Sequence, residues 1–86
     1  IMEREEVKNK LEEIIKPYVQ DMEAFGNISE TTDLLQDLKI NSAHLIDIVL
    51  DVEEAFDIEI DDESVEKMIT VKDSVDTILA CVTAAV

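Results

Sequence analysis

The 86-residue chain is predicted to be all-α, a four-helix bundle with a long first connection and a short third helix. Three observations lead there. A single Gly and a single Pro stand against abundant Glu, Leu, Ile, Lys and Ala, residues that favour helix over turn. Apolar side chains recur with a helical period in three separate stretches. Oxygen-bearing side chains that suit a helix N-cap stand ahead of the later ones. Hydrophobic residues make up 47% of the chain, enough for one small core, and three aromatics with no Trp make that core aliphatic. A single domain over residues 1–86 is expected, burying about 60–65% of its unfolded surface.

The first helix is predicted over about residues 3–16. Val7, Leu11, Ile14 and Tyr18 keep a helical period and Ile15 widens their stripe. Glu3, Glu5 and Glu6 occupy the first turn, where the helix macrodipole favours acids. Pro17 ends it by removing a donor and crowding the preceding turn. Val19, Met22 and Phe25 continue the spacing, so a short helix or kinked continuation is expected over 18–25, with Gly26-Asn27 as its C-cap. Residues 26–41 form a long connection. Leu34, Leu35, Leu38 and Ile40 are too many apolar residues for a solvated loop. They are expected to close one end of the core, with one helical turn near 33–36, and loops this long are usually functional.

The second helix is predicted over 42–56, roughly 22 Å long at 1.5 Å per residue, with Asn41 or Ser42 as its cap. Wound at about 100° per residue, Leu45, Ile48, Val49, Val52 and Phe56 share a core-facing stripe. Ala43, Ile46, Asp47, Leu50 and Glu54 fall on the other side, where aliphatics set among carboxylates read as a surface that meets a partner. Residues 57–60 read as extended. Asp61 or Asp62 then caps a brief third helix through Met68, with Val65, Met68 and Ile69 facing inward. Thr70-Val71-Lys72-Asp73 has the form of a capping box with Asp in place of Glu. It opens a last helix over about 71–84, whose apolar face is Val71, Val75, Ile78, Leu79 and Val82.

Twenty-two acids against seven bases give a net charge of −15. Residues 42–86 hold twelve of the acids and two of the bases. A field of this sign repels nucleic acid and anionic membranes, and attracts proteins with basic patches. Cys81, the single cysteine, lies in an apolar run and reads as a buried structural thiol. No stretch reaches the roughly 18 apolar residues of a membrane span, and the N-terminal residues lack a secretory apolar core. A cytoplasmic, monomeric protein is expected. Ile1 ahead of Met2 reads as an added residue, with Met2 as the native start.

Ser42 is the candidate for chemistry. As a plain N-cap it contributes roughly 1 kcal/mol. It also heads the helix richest in outward apolar residues, where free N–H groups and a positive dipole end suit a phosphate. The carboxylates downstream begin at Asp47, more than a turn away, and salt screens them over about 8 Å. Catalysis by Ser42 is not expected. His44, the only histidine, lies two residues on and points away around the helix, and no nucleophile-elbow motif surrounds the serine. His44 itself reads as an exposed helix residue. A calcium loop starting at Asp57 fails at its glycine position, Asp62, and at its bidentate position, Met68. No residue set reads as a metal site or a catalytic constellation.

At these residues the chain resembles the acyl carrier protein family. The likeness covers most of the chain and is closest over 37–79. It rests on Asp37-Leu38, on Ser42, on Ile48-Val49-Leu50 followed by Val52-Glu53-Glu54-Ala55-Phe56, on Ile58-Glu59-Ile60 and on Thr70-Val71. The resemblance implies that Ser42 carries 4′-phosphopantetheine, transferred from coenzyme A by a phosphopantetheinyl transferase. The arm's thiol would hold an acyl chain as a thioester for fatty acid or polyketide-type biosynthetic enzymes, the chain itself being non-catalytic. Asn41, Ala43, Ile46, Asp47, Leu50, Asp51, Glu53 and Glu54 would meet basic patches on acyl-transferring and chain-extending enzymes. Leu45, Ile48, Val52, Phe56, Ile60, Met68 and Ile69 would line the shelter for a fatty chain.

The departures are local. The family's Asp-Ser-Leu is here Asn41-Ser42-Ala43, which removes a carboxylate and an apolar handle worth roughly 1.5–3 kcal/mol of burial. Lys39 stands where the family has Gly, and the connection ahead of the serine is longer than usual. These departures point to a specialised carrier serving a dedicated pathway. The first rival expectation is an unmodified acidic docking module in which Ser42 is only a helix cap; the second is a divalent-ion sensor that binds weakly through its clustered surface carboxylates.

Overall fold

The computed structural model describes residues 3–84; Ile1 and Met2, and with them the expected start, lie outside the described residues. Five α-helices follow in order: α1 (Arg4–Ile15), α2 (Met22–Gly26), α3 (Leu45–Phe56), α4 (Asp62–Glu66) and α5 (Val71–Ala84). The architecture is the expected small helical bundle, with the short helix after Pro17 realised as α2. α1 packs against both α5 and α3.

In α1 the fully buried residues are Val7, Leu11 and Ile15, while Ile14 and Tyr18 are only partly buried. The strict i, i+4 register therefore displaces Ile14 from the centre of the stripe. Past Ile15 the chain tightens into a 3₁₀ turn, Lys16–Tyr18, that holds Pro17. There the missing proline N–H costs nothing, because the opening residues of a helical turn have no intrahelical acceptor. Asp21, whose carboxylate accepts from the Ala24 N–H at 3.0 Å, caps α2. α2 ends at Gly26, which has no positive φ, and the C-cap falls on Asn27 within the expected Gly26-Asn27 pair.

The long connection belongs to the core. Leu34, Leu38 and Ile40 are buried and Leu35 packs against them. Around residues 33–36 the Asp33 carboxylate accepts from the N–H groups of Leu35 and Gln36, which forms the expected turn. The same segment is laced to the start of α5. Leu34 N–H donates to Ile69 C=O, Val71 N–H to Thr32 C=O and Lys72 N–H to Glu30 C=O. The Arg4 guanidinium, paired with both Glu30 and Asp76, joins α1 to this seam.

Asp57 stops α3 in the left-handed conformation, φ 55° and ψ 52°. Asp tolerates that region better than most residues. The turn drops Ile58 and Ile60 into the core. The Asp61 carboxylate caps α4 through the Ser64 N–H at 2.8 Å. Met68 is buried, but Ile69 is 55% exposed, against the expectation that it faces inward. α4 ends at Glu66, so residues 67–69 leave the helical register, and the Ile69 carbonyl is committed to Leu34. The capping box of α5 is reciprocal. Thr70 N–H donates to the Asp73 carboxylate at 3.0 Å, and Asp73 N–H donates to Thr70 Oγ1 at 3.1 Å.

Candidate functional site around Ser42

Lys39 has φ 57°, a left-handed kink that sends Ile40 into the core and turns the next residues outward. Asn41 follows in extended conformation. Its side-chain oxygen accepts from Ala43 N–H at 2.9 Å, and its carbonyl accepts from His44 N–H at 2.9 Å. Ser42–His44 then forms a 3₁₀ turn that runs into α3. Of the two candidate caps, Asn41 takes the role. Ser42 stands exposed one residue further on, with its hydroxyl outside the cap.

The outward face of α3 follows the predicted winding. Ala43, Ile46, Asp47, Leu50, Asp51 and Glu54 are exposed, and Ile46 and Leu50 are 60% and 55% exposed. Glu53 differs from its expected place on the docking face. It is half-buried, and its carboxylate accepts from Ile60 N–H at 2.8 Å, tying α3 to the segment that follows it. Its position at the edge of the stripe lets the side chain fold back over the residues that follow the helix.

Two residues missed by sequence reasoning join this face. Tyr18, counted with the α1 stripe, donates its phenolic O–H to the Asp51 carboxylate at 2.8 Å. That hydrogen bond, with lesser help from desolvation and the nearby acids, raises the phenol above its ordinary pKa. His44 places Nδ1 3.3 Å from the Asp47 carboxylate, and its ring centroid lies 5.3 Å from that of Tyr18 at 44°. No periodicity reports this pairing, because Tyr18 reaches α3 through the turn at Pro17.

Beside the head of α3 lies a largely apolar groove of about 320 Å³, walled by Leu35, Leu45, Val65, Met68 and Ile69. Of the expected shelter residues, Leu45, Met68 and Ile69 line it. Ile48 and Val52 lie in the closed core, Phe56 packs against that core, and Ile60, though buried, lines a separate pocket beside Glu53 and Cys81. Leu35 and Val65 complete the wall. On another side of the molecule Cys81 is half-buried rather than fully buried. Burial, then the charges of Asp61 and Glu53, push its thiol pKa up. Among the described residues no group of His, Cys, Asp or Glu is placed to hold a metal, and no helix is long and apolar enough to cross a membrane.

The fold and this face define a small, acidic, all-α bundle. Acyl carrier proteins share both sequence and fold with it. Those of Desulforapulum autotrophicum and Coprothermobacter proteolyticus are each 40% identical to it, over 84% and 90% of this chain and 92% of their own lengths. That of Rubrobacter xylanophilus is 34% identical over 96% of this chain and all of its own. A solved structure of the acyl carrier protein from Enterococcus faecalis, studied for its high thermal stability, superposes with a TM-score of 0.76 at 32% identity, covering 93% of this chain and 99% of that one. No protein-family model matches the chain. The chain belongs to the acyl carrier protein family.

Proposed function

We propose that the chain carries acyl intermediates on a 4′-phosphopantetheine arm attached to Ser42, and presents them to the fatty acid or polyketide-type enzymes of a dedicated pathway. The observation that carries this reading is the division of labour at the head of α3: Asn41 caps, so the exposed Ser42 hydroxyl is left to be modified. The residues present fit the group. A primary hydroxyl faces solvent at a helix N-terminus, where the positive dipole end favours a phosphodiester. Asp47, the first carboxylate along α3, already faces His44. When bound, the group supplies a flexible arm whose thiol holds the cargo as a thioester. Leu35, Leu45, Val65 and Met68 offer an apolar acyl chain a lane out of water.

The chain's own part is to tether and to dock. Ile46 and Leu50 give a partner a small apolar centre, and Asp47, Asp51 and Glu54 give it a charged rim. The partners are a phosphopantetheinyl transferase and the acyl-transferring and chain-extending enzymes with basic patches. Rim charges around a small apolar centre make such docking modest in affinity and salt-sensitive. Asn41, Ala43 and Lys39 alter the surface next to the tether, which supports a dedicated set of partners over general ones. A single monomeric cytoplasmic domain without catalysis of its own completes the reading.

Incubation with coenzyme A and a broad-specificity phosphopantetheinyl transferase tests it. The intact mass should rise by one phosphopantetheine group, and Ser42→Ala should abolish the gain. No gain with that enzyme or with one from the source organism would leave the unmodified docking module as the better account.

A further inference from the structure

We propose that the docking surface beside Ser42 extends from α3 onto the 3₁₀ turn Lys16–Tyr18, where Tyr18 and His44 seat an arginine side chain of the partner. The proposal rests on the carrier reading only for which proteins dock there; the surface itself is argued from this chain. Four side chains from three elements meet: the turn Lys16–Tyr18, the turn Ser42–His44 and α3. Tyr18 donates to Asp51 at 2.8 Å, His44 lies 3.3 Å from Asp47, and the two rings stand 5.3 Å apart at 44°, splayed rather than stacked. Tyr18 is partly buried with its phenol fixed, whereas His44, Asp47 and Asp51 are exposed. The result is an aromatic surface flanked on the α3 side by two carboxylates one turn apart.

That arrangement selects among cations. The carboxylates and the net charge of −15 attract any basic group. Lysine, a compact and strongly hydrated ammonium, gains little from a ring in water. A guanidinium is planar and weakly hydrated, and can lie on an aromatic face while its in-plane N–H groups reach carboxylates at its edge. Tyr18 is already held in place by Asp51, so little side-chain entropy is lost on contact. Asp51, accepting from Tyr18 with one oxygen, keeps its other oxygen for an incoming donor.

The test titrates the unmodified chain with a short arginine peptide and a lysine peptide of equal length, followed by NMR. The arginine peptide should bind about two- to five-fold more tightly, the worth of an exposed cation–ring contact, and should move the Tyr18 and His44 ring signals more than the lysine peptide does. Tyr18→Leu should erase the arginine advantage and bring the two peptides to equal affinity. His44→Ala, at an exposed position with no core packing to lose, should reduce that advantage and serves if Tyr18→Leu proves unstable. Equal affinity for the two peptides, or an advantage that survives both substitutions, would overturn the proposal. These readouts need no modification of Ser42, so failure of the mass-gain experiment above sinks the carrier reading and leaves this one to be judged by its own result.

Discussion

Single positions carry the clearest tests. Lys39 holds a left-handed φ that costs an L-residue roughly 1–2 kcal/mol and glycine almost nothing. Lys39→Gly should therefore be more stable than Lys39→Ala by about 1 kcal/mol in urea unfolding; equal stabilities would show that the kink is unstrained. Gly26 presents the opposite case. It sits in α2 without positive φ, and a Cβ there meets nothing within 4 Å. Gly26→Ala should raise stability by about 0.4–1 kcal/mol. A third test concerns pH. The Asp76 carboxylate is held below its usual range by the Arg4 guanidinium and then by Lys72. A depressed carboxylate adds stability at pH values above its unfolded pKa and loses it as pH falls through the folded one. Asp76→Asn should thus cost stability at pH 7, by a small amount because the pair is exposed to solvent. The gap to the unaltered chain should close below about pH 4. A gap that stayed constant down to pH 2 would mean that packing, not charge, holds Arg4.

At the scale of elements, the capping box and the buried connection decide how the bundle holds. Thr70→Ala removes the cap of α5 and should cost about 1 kcal/mol. Asp73→Ala should cost a similar amount, and the double variant less than the sum, because each partner satisfies the other. The box was legible in the sequence, since its spacing is local. So were the apolar weight of residues 34–40 and most of the α3 and α5 stripes, although Leu45, expected to face the core, lines the open groove instead. Ile69 and Glu53 were not legible, because both depend on where a short element stops. α4 ends before the periodic pattern does, and Glu53 folds back onto Ile60 only because Asp57 turns the chain. The site divides likewise. The outward aliphatics follow from helical winding and the exposed serine from its place at a helix start, whereas the choice between Asn41 and Ser42 as cap, and the arrival of Tyr18, depend on turns that no period encodes.

For the whole molecule, charge and shape set the behaviour. A net charge of −15 within a Cα radius of gyration of 11.9 Å places carboxylates within a few screening lengths of one another. Added sodium chloride or magnesium should raise the melting temperature, despite weakening the pairs of Arg4 and Lys72, because repulsion outnumbers attraction. A flat response would mean the acids are spaced too widely to matter. The seam between residues 30–34 and 69–72 bears on motion. Its backbone bonds couple the segment leading to Ser42 with the opening of α5, so neither can loosen alone. α4, five residues long, has no such anchor among the described residues and is the easier part to displace. In deuterium the amides of Leu34, Val71 and Lys72 should stay protonated long after those of α4 have exchanged. On the proposed function, a guest molecule sliding past Met68 would then be admitted by a yielding wall on one side and a stiff one on the other, with the proposed tether at Ser42 rooted in the stiff side.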